Sequence, residues 1–97
     1  DKEIIDKFGA VSEQVASLMS KNALKLFSSD YALSVTGIAG PIGGTKDKPV
    51  GLVYIGLSHK LKTKVKKFQF GNDRIINKIK TSQASLNMLR RTILNDE

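Results

Sequence analysis

The chain has 97 residues, 40% hydrophobic and 26% charged, with a formal net charge of +7 and no cysteine. This length allows one domain with a modest core, and the composition is that of a soluble globular chain rather than a disordered or fibrous one. No apolar run approaches the ~20 residues of a membrane span, the acidic start Asp1-Lys2-Glu3 is not that of a signal peptide, and a lone His59 without cysteines makes no metal cluster. A cytoplasmic protein without a metal site is therefore expected.

Ile4-Ile5-Asp6-Lys7-Phe8 forms a short amphipathic piece that stops at Gly9. Ser12 has the side chain of an N-cap, and Glu13 complements the dipole of a helix expected from Ser12 to about Ser28. Val15, Leu18, Met19, Ala23, Leu26 and Phe27 recur at helical spacing and read as its core stripe. After the Ser29-Asp30 break, Tyr31 to Thr36 is a strand too apolar for a sheet edge, so a further strand is expected beside it. The fourteen residues from Thr36 to Pro49 then hold four of the eight glycines and both prolines. Such a loop either turns the chain or wraps a polar ligand with uncovered backbone N–H groups, and it is longer than a hairpin needs.

Val50 to Ser58 is a second apolar strand, in which Gly51 and Gly56 point to close approach by another group. Ser58-His59-Lys60 is short enough to make Leu61 to Phe70 its antiparallel neighbour. The apolar parity changes between Leu61/Thr63/Val65 and Phe68/Phe70, which predicts a bulge near Lys66-Lys67. Gly71-Asn72 turn the chain, with Asn72 as N-cap and Asp73 at the first helical position. Ile75, Ile79, Ser82, Leu86, Leu89 and Ile93 follow at three- and four-residue intervals, a helix of about five to six turns. The expected fold is α/β in one domain over residues 1–97: helix, three-stranded antiparallel meander, helix.

Half of the sixteen basic residues, Lys60, Lys62, Lys64, Lys66, Lys67, Arg74, Lys78 and Lys80, fall within 60–80, with Asp73 as the acidic companion. Lysines alternating with Leu61, Thr63 and Val65 describe the solvated face of an edge strand, where they discourage strand-to-strand association. No aromatic residue is interleaved to stack on bases, so nucleic acid is not the expected partner, although a nucleic-acid-binding module remains the alternative.

Gly9-Ala10-Val11-Ser12-Glu13, Tyr31 through Pro41, Gly43-Gly44-Thr45, Lys48-Pro49-Val50-Gly51 and Gly71-Asn72-Asp73-Arg74 together resemble the C-terminal domain of the competence-damage-inducible (CinA) family, the nicotinamide-nucleotide amidases. The resemblance spans roughly Gly9 to Leu89 and is most specific from Thr36 to Gly51. It implies a three-layer α/β/α fold with a mixed five-stranded sheet. It also implies hydrolysis of the nicotinamide amide of the mononucleotide to the acid, with release of ammonia and with neither metal nor cofactor. In such enzymes the serine nucleophile lies in a Glu-Ser-Cys-Thr-Gly-Gly-like segment, assisted by a Tyr and a Lys, all before the Gly-Ala-Val-Ser-Glu motif. No segment of these 97 residues matches that one. The chain is therefore expected to lack the N-terminal part of the domain and to be inactive alone, with homo-oligomerisation and a non-catalytic role left open.

The resemblance implies the other wall of the site. Thr36 matches an active-site hydroxyl, able to bond the amide or a developing oxyanion. Gly37, Ile38, Ala39 and Gly40 would turn backbone N–H groups to the nucleotide, and Gly43, Gly44 and Thr45 would close around it. Arg74 matches the Gly-Asp-Arg pattern and would hold the phosphate or orient the amide. Lys78 stands where many relatives carry a second arginine, which leaves two candidates for the functional cation.

Overall fold

The computed structural model describes residues 2–38 and 43–95. In chain order the elements are α1 (Lys2–Phe8), α2 (Glu13–Leu26), β1 (Tyr31–Gly37), β2 (Leu52–His59), β3 (Lys62–Gln69) and α3 (Arg74–Asn95). Gly9 ends α1 with φ +83 and donates its N–H to Ile5 O at 2.7 Å. Ser12 caps α2 as expected, its Oγ accepting the N–H of Val15 at 3.2 Å.

The sheet has the order β1-β2-β3, antiparallel throughout, with β2 paired on both sides. Central position explains why β2 is buried almost along its length. Among the described residues β1 is an edge strand, so the neighbour expected beside it is not found there, and Val35 is 43% exposed. The mixed five-stranded sheet implied by the resemblance is likewise more than these three strands build.

The pairing of β2 with β3 runs unbroken from Leu52↔Gln69 to His59↔Lys62, so the bulge expected near Lys66-Lys67 is absent. The parity change has another cause: the two faces of β3 serve different layers. Val65 pairs with Gly56 on the face where Ala16 of α2 packs. Phe68 pairs with Val53 on the other face and packs on the cluster of Val53, Ile55, Leu57 and Met88, the last from α3. A regular strand alternates sides, and here the half-buried residues Val65 and Phe68 fall on opposite faces while the lysines of the strand stay exposed. The hairpin turns at Lys60-Leu61, one to two residues later than expected, with Lys60 at φ +56.

Both helices turn inward a face only partly the expected one: Val15 is buried and Leu89 packs on the core cluster as expected, but much of each stripe faces outward. In α2 the buried residues are Val15, Ala16 and Ser20, whereas Met19, Leu26 and Phe27 are exposed. The reason lies at Gly56, where an added Cβ would stand 2.5 Å from Ala16 O: the helix backbone rests on the sheet backbone, and only small side chains fit between. Ser34 Oγ donates to Ala16 O at 2.6 Å, and a chain of hydroxyls joins Ser20 to Ser58 (2.8 Å) and Ser58 to Thr63 (2.7 Å).

In α3 the buried residues are Asn77, Ser85, Met88 and Thr92, while Ile75 and Leu86 are 71% and 64% exposed. Asp73, not Asn72, is the N-cap: its Oδ1 accepts the N–H of Ile76 at 3.0 Å, and Arg74 is the first helical residue. Asn77 Nδ2 donates to Gly71 O at 2.8 Å and sets the helix rotation at its start. Thr81, Ser85 and Thr92 then return their hydroxyl protons to carbonyls four residues back, so they face the sheet without needing partners on it. No helix of the described residues is long and apolar enough to cross a membrane.

Candidate functional site

The glycine-rich loop springs from the end of β1 and returns into β2, and its mouth is closed by backbone bonds. Ile38 N–H donates to Leu52 O at 2.9 Å and Gly51 N–H to Ile38 O at 2.7 Å. Gly51 adopts φ +89 against the carbonyls of Phe70 and Gly71, and its own O accepts the N–H of Phe70 at 2.8 Å. Close approach thus accounts for Gly51 and Gly56 alike, as expected, although Gly51 lies in the turn just before β2 rather than inside the strand.

Inside the loop, Thr45 N–H donates to Lys48 O at 2.9 Å, and Lys48 N–H donates to Thr45 Oγ1 at 3.0 Å, a reciprocally closed turn. Gly44 abuts Pro49-Val50 so closely that an added Cβ would lie 2.5 Å from Val50 N, while Gly43 sits at φ +106. The amide of Ile38, expected to face a ligand, is donated within the protein instead, and so is that of Thr45, a residue expected to close around the ligand. Ala39 and Gly40, named with them, lie outside the described residues.

Thr36, half-buried, pairs with Tyr54 and shares the α2 face of β1 with Ala32 and Ser34; its Oγ1 donates to Ala10 O at 2.7 Å. Gly37 belongs to the opposite face. It lines a cavity of about 400 Å³ together with Val35, Val53, Asn77, Lys78, Thr81 and Ser82, between β1 and the first turns of α3. A Cβ at Gly37 would come within 2.9 Å of Leu52 O and Val53 Cγ2, so the strand end stays bare there. The structure therefore brings Gly37 and Lys78 together, puts Thr36 across the sheet from both, and leaves Arg74 exposed one turn before Lys78 and outside the cavity lining.

Two contacts at this end of the sheet escape reasoning from the sequence. Lys48 Nζ donates to Phe8 O at 2.5 Å, and Ala10 O takes the proton of Thr36. Lys48 and Ala10 both stand inside the quoted motifs, and that was the signal available.

The profile of the CinA C-terminal domain matches residues 1–93. The chain belongs to the CinA C-terminal domain family. CinA-like proteins of Kosmotoga olearia and Endomicrobium trichonymphae are similar to it, with 53% identity over 95 residues and 52% over 93 residues. Each alignment covers 96% of this chain but only 23% and 22% of the relative, so this CinA segment spans less than a quarter of those proteins. Among solved structures, a competence/damage-inducible protein of Agrobacterium tumefaciens superposes with a TM-score of 0.90 at 35% identity, covering 94% of this chain and 56% of that one. The competence damage-inducible protein A of Klebsiella pneumoniae gives 0.91 at 30% identity, with 97% and 58% covered. The α/β arrangement of helix, antiparallel meander and helix is thus that of the CinA superfamily.

Proposed function

We propose that this CinA segment is the substrate-holding wall of a cytoplasmic amidohydrolase that converts the carboxamide of nicotinamide mononucleotide to the acid and releases ammonia. The observation that carries this reading is the cavity shared by the bare strand end at Gly37 and the cation of Lys78. A space of about 400 Å³ with an apolar wall of Val35 and Val53, the bare strand end at Gly37, the polar side chains of Asn77, Thr81 and Ser82 and one ammonium suits part of a small anionic ligand with an aromatic ring. Lys78 holds the phosphate there as a point charge, with Arg74 one turn earlier as the alternative cation.

Thr36 works on the amide from the other side of the strand end. Its proton is committed to Ala10 O, so toward a ligand Oγ1 offers lone pairs and accepts an N–H of the carboxamide. The nucleophilic serine belongs to the preceding segment that the resemblance implies. It attacks the amide carbon, the nitrogen leaves as ammonia with a proton, and water releases the acid from the ester.

The test uses the polypeptide carrying that segment ahead of these residues, assayed for ammonia. Lys78→Met is expected to raise KM at least tenfold for the mononucleotide and to change KM little for the dephosphorylated riboside, with Arg74→Ala close to wild type. A KM defect in Arg74→Ala alone moves the phosphate to Arg74. No ammonia from the unsubstituted polypeptide rejects the reading. Residues 1–97 alone are expected to release none.

A further inference from the structure

We infer that Lys48 is a positioning residue: its ammonium clamps the glycine-rich loop onto the α1–α2 connection, and Gly9 is the vacancy that admits it. Three consecutive carbonyls of that connection each accept from a different part of the chain. Phe8 O takes Lys48 Nζ at 2.5 Å from the loop, Gly9 O takes Ser12 Oγ at 2.9 Å from the cap of α2, and Ala10 O takes Thr36 Oγ1 at 2.7 Å from the end of β1. The last carbonyls of a helix have no partner within the helix, so a donor from outside both satisfies them and fixes where it comes from.

Gly9 meets two demands at once. Its φ of +83 ends α1, and a Cβ at this position would stand 2.5 Å from Lys48 Nζ. A side chain there would crowd the ammonium, which would have to shift to keep its carbonyl, and would be strained by the positive φ. On the loop side, the reciprocal Thr45–Lys48 turn holds the lysine backbone, so the side chain spans from a fixed turn to a fixed carbonyl. Lys48 is half-buried, so the contact is only partly open to water. Thr36, proposed above to accept the amide N–H, is anchored two carbonyls further along the same connection. Lys48 therefore acts on the substrate through the placement of the loop relative to Thr36, and that part of the inference rests on the proposed amidase reading.

The experiment compares Lys48→Met, which keeps the stem and removes the donors, with Lys48→Arg, which keeps donors, in the polypeptide carrying the nucleophile segment. Amide hydrogen exchange is the first readout. Lys48→Met is expected to speed exchange at Thr45 at least tenfold while leaving Ile55 in the sheet unchanged, with Lys48→Arg within threefold of wild type. Gly9→Ala should copy Lys48→Met at Thr45. Turnover is the second readout: kcat for the mononucleotide should fall about tenfold in Lys48→Met and recover in Lys48→Arg. Unchanged exchange at Thr45 overturns the clamp. Faster exchange with undiminished kcat overturns the positioning role. A wild-type polypeptide that releases no ammonia defeats the amidase reading and the positioning role with it, while the exchange measurement still decides the clamp.

Discussion

The two helical layers meet the same sheet in opposite ways. α2 lies against it with Val15, Ala16 and Ser20, backbone on backbone at Gly56, while Met19 and Leu26 face outward. α3 stands off it, contributing Met88 to the core cluster with Ala84 and Leu89 packed beside it, while its other buried residues are the polar Asn77, Ser85 and Thr92. In the first layer hydrogen bonds cross between elements, as in Ser34 to Ala16 O and Ser20 to Ser58. In the second the hydroxyls bond within their own helix. The α2 layer is locked to the sheet by specific polar contacts at short range, and the α3 layer by apolar packing that leaves space, including the cavity beside Gly37.

The contrast is sharpest at Gly56. Gly56→Val should destabilise the fold by about 3 kcal/mol or more, because the nearest obstruction is backbone rather than a movable side-chain end. A urea midpoint close to wild type would mean that α2 can slide off the sheet. Met88→Ala tests the other layer: truncating one core side chain should cost about 2 kcal/mol, read in the same titration. A Gly56→Val effect no larger than this would erase the difference between the layers.

Ser58→Ala comes next, at about 1 kcal/mol, since it interrupts the hydroxyl chain from Ser20 to Thr63 and leaves Ser20 buried with its bond to Ser17 O alone. Smallest is Leu86→Ser on the outward face of α3, where 64% exposure limits the change to about 0.5 kcal/mol. A Leu86→Ser cost equal to that of Met88→Ala, in thermal unfolding measured over a range of protein concentrations, would show that this face is covered in solution.

How the site could be read from the sequence follows the same division. Gly37, Gly43, Gly44 and Thr45 were legible as a loop that approaches something closely, because glycine and turn residues carry their conformational reasons with them. What they approach was not legible. Gly44 meets Val50, Thr45 meets Lys48, and Ile38 spends its amide on Leu52, all partners within the loop or its strands. The two candidate cations differ by one helical turn, and only the packing of α3 on β1 shows that Lys78 lines the cavity with Gly37 while Arg74 does not.

Local chemistry in the sequence determined the element order, the Ser12 cap, the stop at Gly9 and the antiparallel meander with β2 at its centre, because caps, glycines and short connections act over a few residues. Which face of each helix turns inward was decided by tertiary structure. The stripe Ile75, Ile79, Ser82, Leu86, Leu89 and Ile93 alternates four- and three-residue steps, a spacing that suits a neighbouring helix as well as a sheet. Periodicity identifies such a helix but not its contact face. The supposed bulge in β3 arose in the same way. A strand buried on one side must keep its apolar parity, whereas β3, a half-exposed edge strand, sends Val65 to the α2 face and Phe68 to the core cluster on the other face without a break in its register. Until the second layer is in place, the sequence of β3 reads as irregular; with it, the strand is regular from Lys62 to Gln69.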